Sequence, residues 1–303
     1  MTDEQIIQEY KIVFRKYVKD GIIDLDKRLK HKFDFQIHAL GPLIKVLDGI
    51  VPPYKQKRYA ITYIEKAEGI KSIGHFTFPF ENNLLLIIPK NLIHSSNYSN
   101  LNCSGYMLMF NVDFFLDNAF PKKHIEKKLI FKRSIKPWLK LSAQQAEKVK
   151  SILQQIHIEK DSQHKNKLEL IAVKILELLV QCDRYVTDAN NINETDSFNL
   201  TLEKFYDLVD QHHSKNRSVS YYARLLHLHP NYLNAIVNKH SGLSAKELID
   251  DKILQEARYL LRATTFSVKE LAFHLGFENA GYFSSFFRKR SGSSPIEFRR
   301  SVL

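Results

Sequence analysis

The fold of the C-terminal third is decided by the stretch Val268-Lys-Glu-Leu-Ala-Phe-His-Leu-Gly-Phe277, because a related stretch occurs earlier in the chain. Val219-Ser-Tyr-Tyr-Ala-Arg-Leu-Leu226 lies 49 positions upstream and repeats its Val, Ala and Leu spacing. After a slip of one residue, the segment 232–242 aligns with 282–292, with Tyr, Lys, Ser and Gly matched. One structural unit is therefore predicted to occur twice.

Each copy predicts two short helices around a tight turn. In the second copy Ser267 and Glu270 form a capping box, and Gly276 ends the first helix. Phe277 fills the angle between the helices, and Asn279 caps the second one. The predicted buried side of that second helix comprises Tyr282, Phe283, Phe286 and Phe287. Two short helices joined in this way form a helix-turn-helix, whose second helix can enter the major groove of DNA.

One long helix is predicted between the copies, from Ser244 to Arg262. Ser244 and Glu247 form its capping box, and its apolar residues follow helical spacing without a Gly or Pro. The stripe consists of Leu248, Ile249, Ile253, Leu254, Ala257, Leu260 and Leu261. A helix of roughly 18 residues is about 27 Å long. It is thus long enough to hold two reading helices about one DNA turn apart.

The segment from about residue 218 to 300 resembles the DNA-binding domain of the AraC/XylS family of transcription regulators. The resemblance rests on about a dozen positions in the second copy and in the helix after it: Val268-x-Glu-Leu-Ala-x-x-x-Gly-Phe277, Tyr282-Phe-Ser284, Phe287-Arg-Lys289, Ser291-Gly292 and Pro295-x-Glu-Phe-Arg299. It implies an all-α domain that binds asymmetric sites in double-stranded promoter DNA. It also implies contact with RNA polymerase, as in an activator.

Positions on the second helix of each unit that packing does not need are the candidate DNA contacts. They are Asn231, Asn234, Ala235, Asn238 and Lys239 in the first copy, and Ala280, Gly281, Ser284, Ser285, Arg288, Lys289 and Arg290 in the second. Asn231 and Asn234 can pair with adenine, whereas Lys239 and the Arg288–Arg290 run suit phosphates. The alternative for the asparagines is an ordinary solvated surface.

The chain departs from the family at one place in each unit. Many relatives have an arginine in the middle of each reading helix, but Ala235 and Ser285 occupy those positions here. A guanine contact is therefore not expected at either position. We predict a site that is weighted towards A·T pairs or read by DNA shape.

The N-terminal part predicts a mainly-β domain. Runs rich in Ile, Tyr and Phe alternate with turn residues, namely 33–40, 59–64, 72–78, 83–88 and 105–111. The stretch Leu84-Leu-Leu-Ile-Ile-Pro-Lys-Asn-Leu-Ile-His94, with the later 105–111 run, resembles the cupin-like sensor barrel of many such regulators. A barrel of this kind can hold a cavity for one small effector. Either Ile61 and Tyr63 or their neighbours face inward, as does one set from 75–78; a core filled by its own aromatics is the alternative.

Metal or catalytic chemistry is not expected in this barrel. Metal-binding cupins use a His-x-His pair followed by Glu, with another His further on, whereas His31, His38, His75 and His94 stand alone. The pair His227-x-His229 lies in the helix-turn-helix instead. We therefore expect no metal, no cofactor and no catalytic residue, and structural roles for the barrel histidines.

The remaining segments complete the predicted domain organisation. A helical segment covers 1–30, the barrel 31–140, a helical packing or dimerisation region 141–186, a linker 187–197 and the DNA-binding domain 198–303. Amphipathic helices are expected at 142–158 and 166–185, the second with Leu168, Leu170, Ile171, Ile175, Leu178, Leu179 and Cys182 on its apolar face. Packing on the barrel and homodimerisation are the two roles open to this face.

Bulk properties agree with a cytoplasmic protein without a membrane segment. The start of the chain lacks a secretion signal, and Cys103 and Cys182 fit no metal or redox spacing. The net charge is +12, of which the part from residue 197 onward carries +5, so the charge alone is weak support for a nucleic-acid partner. A sequence-specific transcription regulator is the leading hypothesis. An architectural DNA binder and a cupin enzyme tethered to DNA are the alternatives.

Overall fold

The computed structural model describes residues 35–55, 58–90, 92–111, 114, 129–131, 136–190 and 197–300. A β-rich region comes first and a helical region follows it, as the sequence predicts. The predicted N-terminal helical segment 1–30, His31 and the first residues of the 33–40 strand lie outside the described residues.

Two antiparallel sheets form the N-terminal domain. The larger has the strand order β1-β8-β3-β6-β9 and the smaller the order β2-β7-β4-β5. The strands are β1 Phe35–Ala39, β2 Ile50–Lys55, β3 Tyr59–Lys66, β4 Gly69–Ile73, β5 Phe76–Pro79, β6 Leu84–Ile88, β7 Ile93–Tyr98, β8 Ser104–Phe110 and β9 Trp138–Lys140, with helix α1 Leu40–Val46 after β1.

The larger sheet is covered on both faces, which explains the unbroken apolar run in β6. Ile61 and Tyr63 of β3 face the helices outside the barrel, whereas their neighbours Ala60 and Ile64 face the space between the sheets. The alternation of β3 therefore assigns the neighbours of Ile61 and Tyr63 to the interior.

The predicted strand 72–78 is wrong as a single element. It is split into β4 and β5, which pair with each other, and Gly74 turns between them with φ of 56°. Phe76 and Phe78 from this segment join the core between the sheets, whereas Thr77 bonds the Ser72 hydroxyl at the surface.

Strand β2 was not predicted from the sequence, because it contains Pro52 and Pro53. Proline cannot donate to a ladder, so it is confined to edges and bulges. Strand β2 lies at the edge of the smaller sheet, and its register shifts between Val51 and Tyr54. Both conditions for proline in a strand are therefore met.

Two long helices, α2 Ala143–Glu159 and α3 Lys167–Asn190, pack against each other and the larger sheet. Ile171, Ile175 and Cys182 of α3 are fully buried there, so most of the predicted apolar face packs on the barrel. Leu168 and Leu170 are exceptions, since they are 49% and 43% exposed.

Helix α3 continues four residues into the predicted linker 187–197. The Thr187 hydroxyl donates to the Asp183 carbonyl one turn earlier, so this polar stretch adds about one more helical turn. Residues 191–196 lie outside the described part of the chain, and the next helix begins at Ser197.

The C-terminal domain is helical throughout. Its helices are α4 Ser197–His212, α5 Val219–Leu225, α6 Pro230–Ser241, α7 Ala245–Ala263, α8 Val268–His274, α9 Ala280–Ser291 and α10 Pro295–Arg300. The apolar stripe predicted for the connecting helix α7 is buried along its length. Within the described ranges, none of the helices is both long and apolar enough to cross a bilayer.

The barrel and the helical domain touch through α7, which contacts β2 and β7. Lys55 Nζ of β2 lies 3.1 Å from Glu256 Oε1 of α7. Glu256 also lies 3.8 Å from Lys252 of the same helix, and Lys252 pairs with Asp210 of α4 at 2.8 Å. An ion-pair chain thus links the smaller sheet to the helix that joins the two helix-turn-helix units.

Candidate DNA-binding surface

The two predicted helix-turn-helix units are formed by α5 with α6 and by α8 with α9. The predicted capping residues lie where expected: the Ser267 hydroxyl accepts from Glu270 N at 3.2 Å, and Asn279 Oδ1 accepts from Tyr282 N at 2.9 Å. The reciprocal bond from Ser267 N to the Glu270 carboxylate lowers the pKa of Glu270. The second unit is therefore capped at the start of both helices.

The turn inside each unit needs a left-handed residue. Gly276 takes φ of 75° in the second unit, and His227 takes φ of 57° at the matching position of the first. A Cβ at Gly276 would lie 2.0 Å from the Ser214 carbonyl oxygen, so the second unit requires glycine there. Non-glycine residues adopt this conformation at a cost in free energy, and the first unit has this cost at His227.

The aromatic core of the second unit forms around Phe277. Its ring meets Phe283 edge-on at 5.3 Å and Phe286 at 5.2 Å. Phe283 and Phe287 are fully buried, as predicted. The prediction that Tyr282 is buried is wrong, because its side chain is 64% exposed.

Tyr282 and Tyr232 are surface residues that were not among the predicted DNA contacts. They occupy matching positions near the start of α6 and α9, and Tyr232 is 48% exposed. The repeat contains the sequence signal for this surface, because both copies have tyrosine at the same position. The structure adds that both side chains are exposed, which is unusual for an aromatic residue on a solvated face. Both tyrosines belong to the candidate surface.

Most of the predicted contact residues do lie on the outer sides of α6 and α9. The exposed members are Asn231, Asn234, Ala235, Asn238 and Lys239 on α6, and Gly281, Ser285, Arg288 and Lys289 on α9, with Ala280 and Ser284 half-buried. The two helices thus present polar and cationic side chains to solvent, whereas their apolar sides pack inward.

Asn234 has a structural partner that the sequence did not indicate. Its Oδ1 accepts a hydrogen bond from Ala245 N at 3.0 Å, at the first residue of α7. A bidentate contact with adenine also uses this oxygen as an acceptor, so the base would share the oxygen with Ala245 N through its second lone pair. At the matching place in the second unit, Pro295 has no N–H to satisfy.

Arg290 forms ion pairs within the domain. Its guanidinium lies 3.0 Å from Asp250 Oδ2 and 3.0 Å from Asp251 Oδ1, both on α7, and covers the Phe286 ring. Burial raises the pKa of Asp251, which the charge of Arg290 opposes. Arg290 therefore holds α9 on α7, and its predicted phosphate contact stays a prediction.

Asp250 is the centre of this ion-pair cluster. Besides Arg290, it lies 2.7 Å from Lys246 Nζ and 3.5 Å from Arg217, and its side chain is 8% exposed. The Arg217 guanidinium also covers the Phe277 ring at 4.2 Å. The cluster joins α9, α7 and the segment before α5, so it sets how the two units are placed relative to each other.

The C-terminal part of the chain also matches known proteins. Residues 222–301 match the model of a family described as a helix-turn-helix domain. The chain is 30% identical over 99 residues to the uncharacterized HTH-type transcriptional regulator YijO of Escherichia coli (strain K12), covering 33% of this chain and 35% of that protein. It is 28% identical over 131 residues to the arabinose operon regulatory protein of the same organism, covering 43% and 44%.

The alignments span less than half the length of these two relatives. Among solved structures, ToxT of Vibrio cholerae aligns with 88% of this chain and 98% of its own at 14% identity and a TM-score of 0.46, which is a weak likeness. The C-terminal domain of the chain is therefore similar to the helix-turn-helix domains of these regulators, in agreement with its resemblance to the AraC/XylS family.

Proposed function

We propose that this chain is a sequence-specific transcription regulator that reads DNA with α6 and α9. The observation that carries the proposal is the pairing of two helix-turn-helix units on one continuous helix. Helix α7 has 19 residues and is therefore about 28 Å long. Two reading helices held at its ends suit successive major grooves, about 34 Å apart on one face of the duplex.

The side chains on the outer helix faces support separate roles. Asn231 on α6 is exposed and can pair with adenine. Arg288 and Lys289 on α9 are exposed cations that suit phosphates, which give affinity without sequence information. Ala235 and Ser285 carry no guanidinium, so we expect A·T-weighted or shape-dependent sites.

A competition titration tests these roles, with a labelled high-affinity site and random duplex as competitor. Asn231→Ala should cost about 1–3 kcal/mol at the true site and little on random DNA. Lys289→Ala should weaken binding to both and lower the salt slope by about one. Equal, sequence-blind losses from both variants would refute sequence-specific reading and leave an architectural binder.

Control by a small ligand is supported by the contact between the domains. The barrel contains a cavity between its two sheets, and the smaller sheet touches α7 through Lys55 and Glu256. A change in the barrel therefore has a direct route to the helix that spaces the reading helices.

Homodimerisation through 141–186 is supported by an apolar patch that the barrel leaves uncovered. The patch is defined as Leu170 and Val173, which lie three residues apart on α3 and are 43% and 61% exposed. Exposed apolar clusters of this kind mark interaction surfaces. Contact with RNA polymerase and a cytoplasmic location remain predictions of the same proposal.

A further inference from the structure

The cavity between the two sheets has two unlike walls. Its volume is about 50 Å³. The smaller sheet contributes most of the polar side chains, whereas α1 and the larger sheet contribute a mainly apolar wall. The apolar lining consists of Leu40, Leu43, Ile44, Leu47, Val51, Ala60, Ile88, Met107 and Met109, and the polar lining of Tyr54, Thr62, Lys71, His94, Ser96 and Tyr98.

Lys71 of β4 points into this cavity and is 4% exposed. Its Nζ lies 2.9 Å from His94 Nδ1 and 3.0 Å from Ser96 Oγ, both on β7. Burial and the charge of Lys71 hold the pKa of His94 well below its usual range, so both partners are neutral. Within the described ranges, Lys71 has no carboxylate partner.

An ammonium group in such a place lacks what normally stabilises a buried charge. Burial lowers the pKa of Lys71 to about 7, because two neutral acceptors do not replace the water that the ammonium loses. The group has three N–H donors, and the two hydrogen bonds use two of them. A carboxylate would supply both the third acceptor and the opposite charge.

We infer that the barrel cavity binds a short-chain monocarboxylate, with its carboxylate on Lys71 Nζ and its alkyl part against the apolar wall. The volume of the cavity limits the size of the ligand, since one water-sized group needs about 10–15 Å³ of such volume. Acetate, propionate and butyrate cover the range of sizes that a cavity of this volume can hold. A polyol fits less well, because its hydroxyls would face the α1 wall without partners and leave the ammonium charge unpaired. The inference rests on the proposed ligand control and names its ligand class.

Calorimetric titration of the full chain without DNA tests the inference, using acetate, propionate and butyrate as probes. At pH 6.5 the best of these should bind at least tenfold more tightly than its neutral amide, for example butyrate against butyramide. Lys71→Met should abolish the preference for the acid. Lys66→Met, which removes an exposed lysine from β3, is the matched control and should leave the preference unchanged.

A second measurement uses the wild-type protein alone, so it does not depend on the folding of a variant. Binding should take up a proton above pH 7, because the carboxylate needs the charged ammonium, and affinity should fall about tenfold per pH unit there. His94 and Tyr98, which also line the cavity, stay uncharged in this pH range, because burial lowers the pKa of His94 and raises that of Tyr98.

Equal binding of acid and amide, or acid binding without proton uptake at pH 8, would overturn the inference. Since the titrations contain no DNA, such a failure would leave the proposed DNA reading untouched. Conversely, a chain without sequence-specific DNA binding would still show the acid preference and proton uptake if the cavity binds carboxylates.

Discussion

The buried Lys71 makes the stability of the barrel depend on pH. Its pKa falls from the ordinary 10.5 to about 7 in the folded chain, so the unfolded chain binds more protons between these values. The free energy of unfolding should therefore rise as pH rises through this window, and the destabilisation is fully present below pH 7.

Lys71→Met should remove this contribution. The difference in unfolding free energy between variant and wild type should shrink by on the order of 3–4 kcal/mol between pH 6 and pH 10. Urea unfolding at several pH values measures it, with Lys66→Met as the control. Parallel stability profiles for wild type and Lys71→Met would contradict the burial of a charged lysine.

Arg290 should contribute to the stability of the fold, whereas its neighbour Lys289 should contribute mainly to DNA affinity. Arg290→Ala should lower the free energy of unfolding by about 1–3 kcal/mol, because it removes charged hydrogen bonds to Asp250 and Asp251. Lys289→Ala should change stability by less than about 0.5 kcal/mol, since its side chain is exposed. Thermal unfolding of the two variants checks this, and equal losses would argue against the structural role of Arg290.

At the level of elements, the turn of the second unit depends on Gly276. Gly276→Ala should destabilise the protein by at least about 2–3 kcal/mol, because left-handed strain adds to a clash with the Ser214 carbonyl. Gly292→Ala is the matched control: Gly292 has φ of 81° but nothing within 4 Å of a new Cβ, so about 1 kcal/mol is expected. Similar losses in urea unfolding would exclude the clash as the cause.

Elements with local signals were predictable from the sequence. Capping boxes such as Ser244 with Glu247, whose bonds the structure contains, and the glycine that ends α8 depend on neighbours three to four residues apart. The stripe of α7 was equally clear, because one helix face is buried throughout. Local chemistry and periodicity suffice in these cases.

Features that depend on distant partners could not be predicted. The role of Asn234 needs the start of α7 to approach its amide, and that of Arg290 needs Asp250 about forty residues away. Lys71 was missed because lysine is rarely buried, and no periodicity reveals a cavity. Tyr282 was misassigned because an aromatic side chain at helical spacing usually packs inward.

For the whole molecule, the uncovered patch on α3 predicts self-association. Val173→Glu should shift the sedimentation of the chain towards the monomer, because it places a charge in the centre of a shared apolar contact. Ala189→Glu, which adds the same charge at an exposed position near the end of α3, controls for charge alone. Identical sedimentation of wild type and Val173→Glu would exclude the patch as the dimer contact.

The most direct test of the central claim is a binding selection by the full chain on random duplexes, followed by sequencing. We expect a motif of two short elements centred about 10–10.5 base pairs apart, because α6 and α9 would read successive major grooves. A·T pairs should dominate both elements, since Ala235 and Ser285 lack guanidinium groups. Dominant G·C pairs in both elements would refute the predicted readout. A selection that enriches no motif at all would contradict sequence-specific DNA reading by this chain.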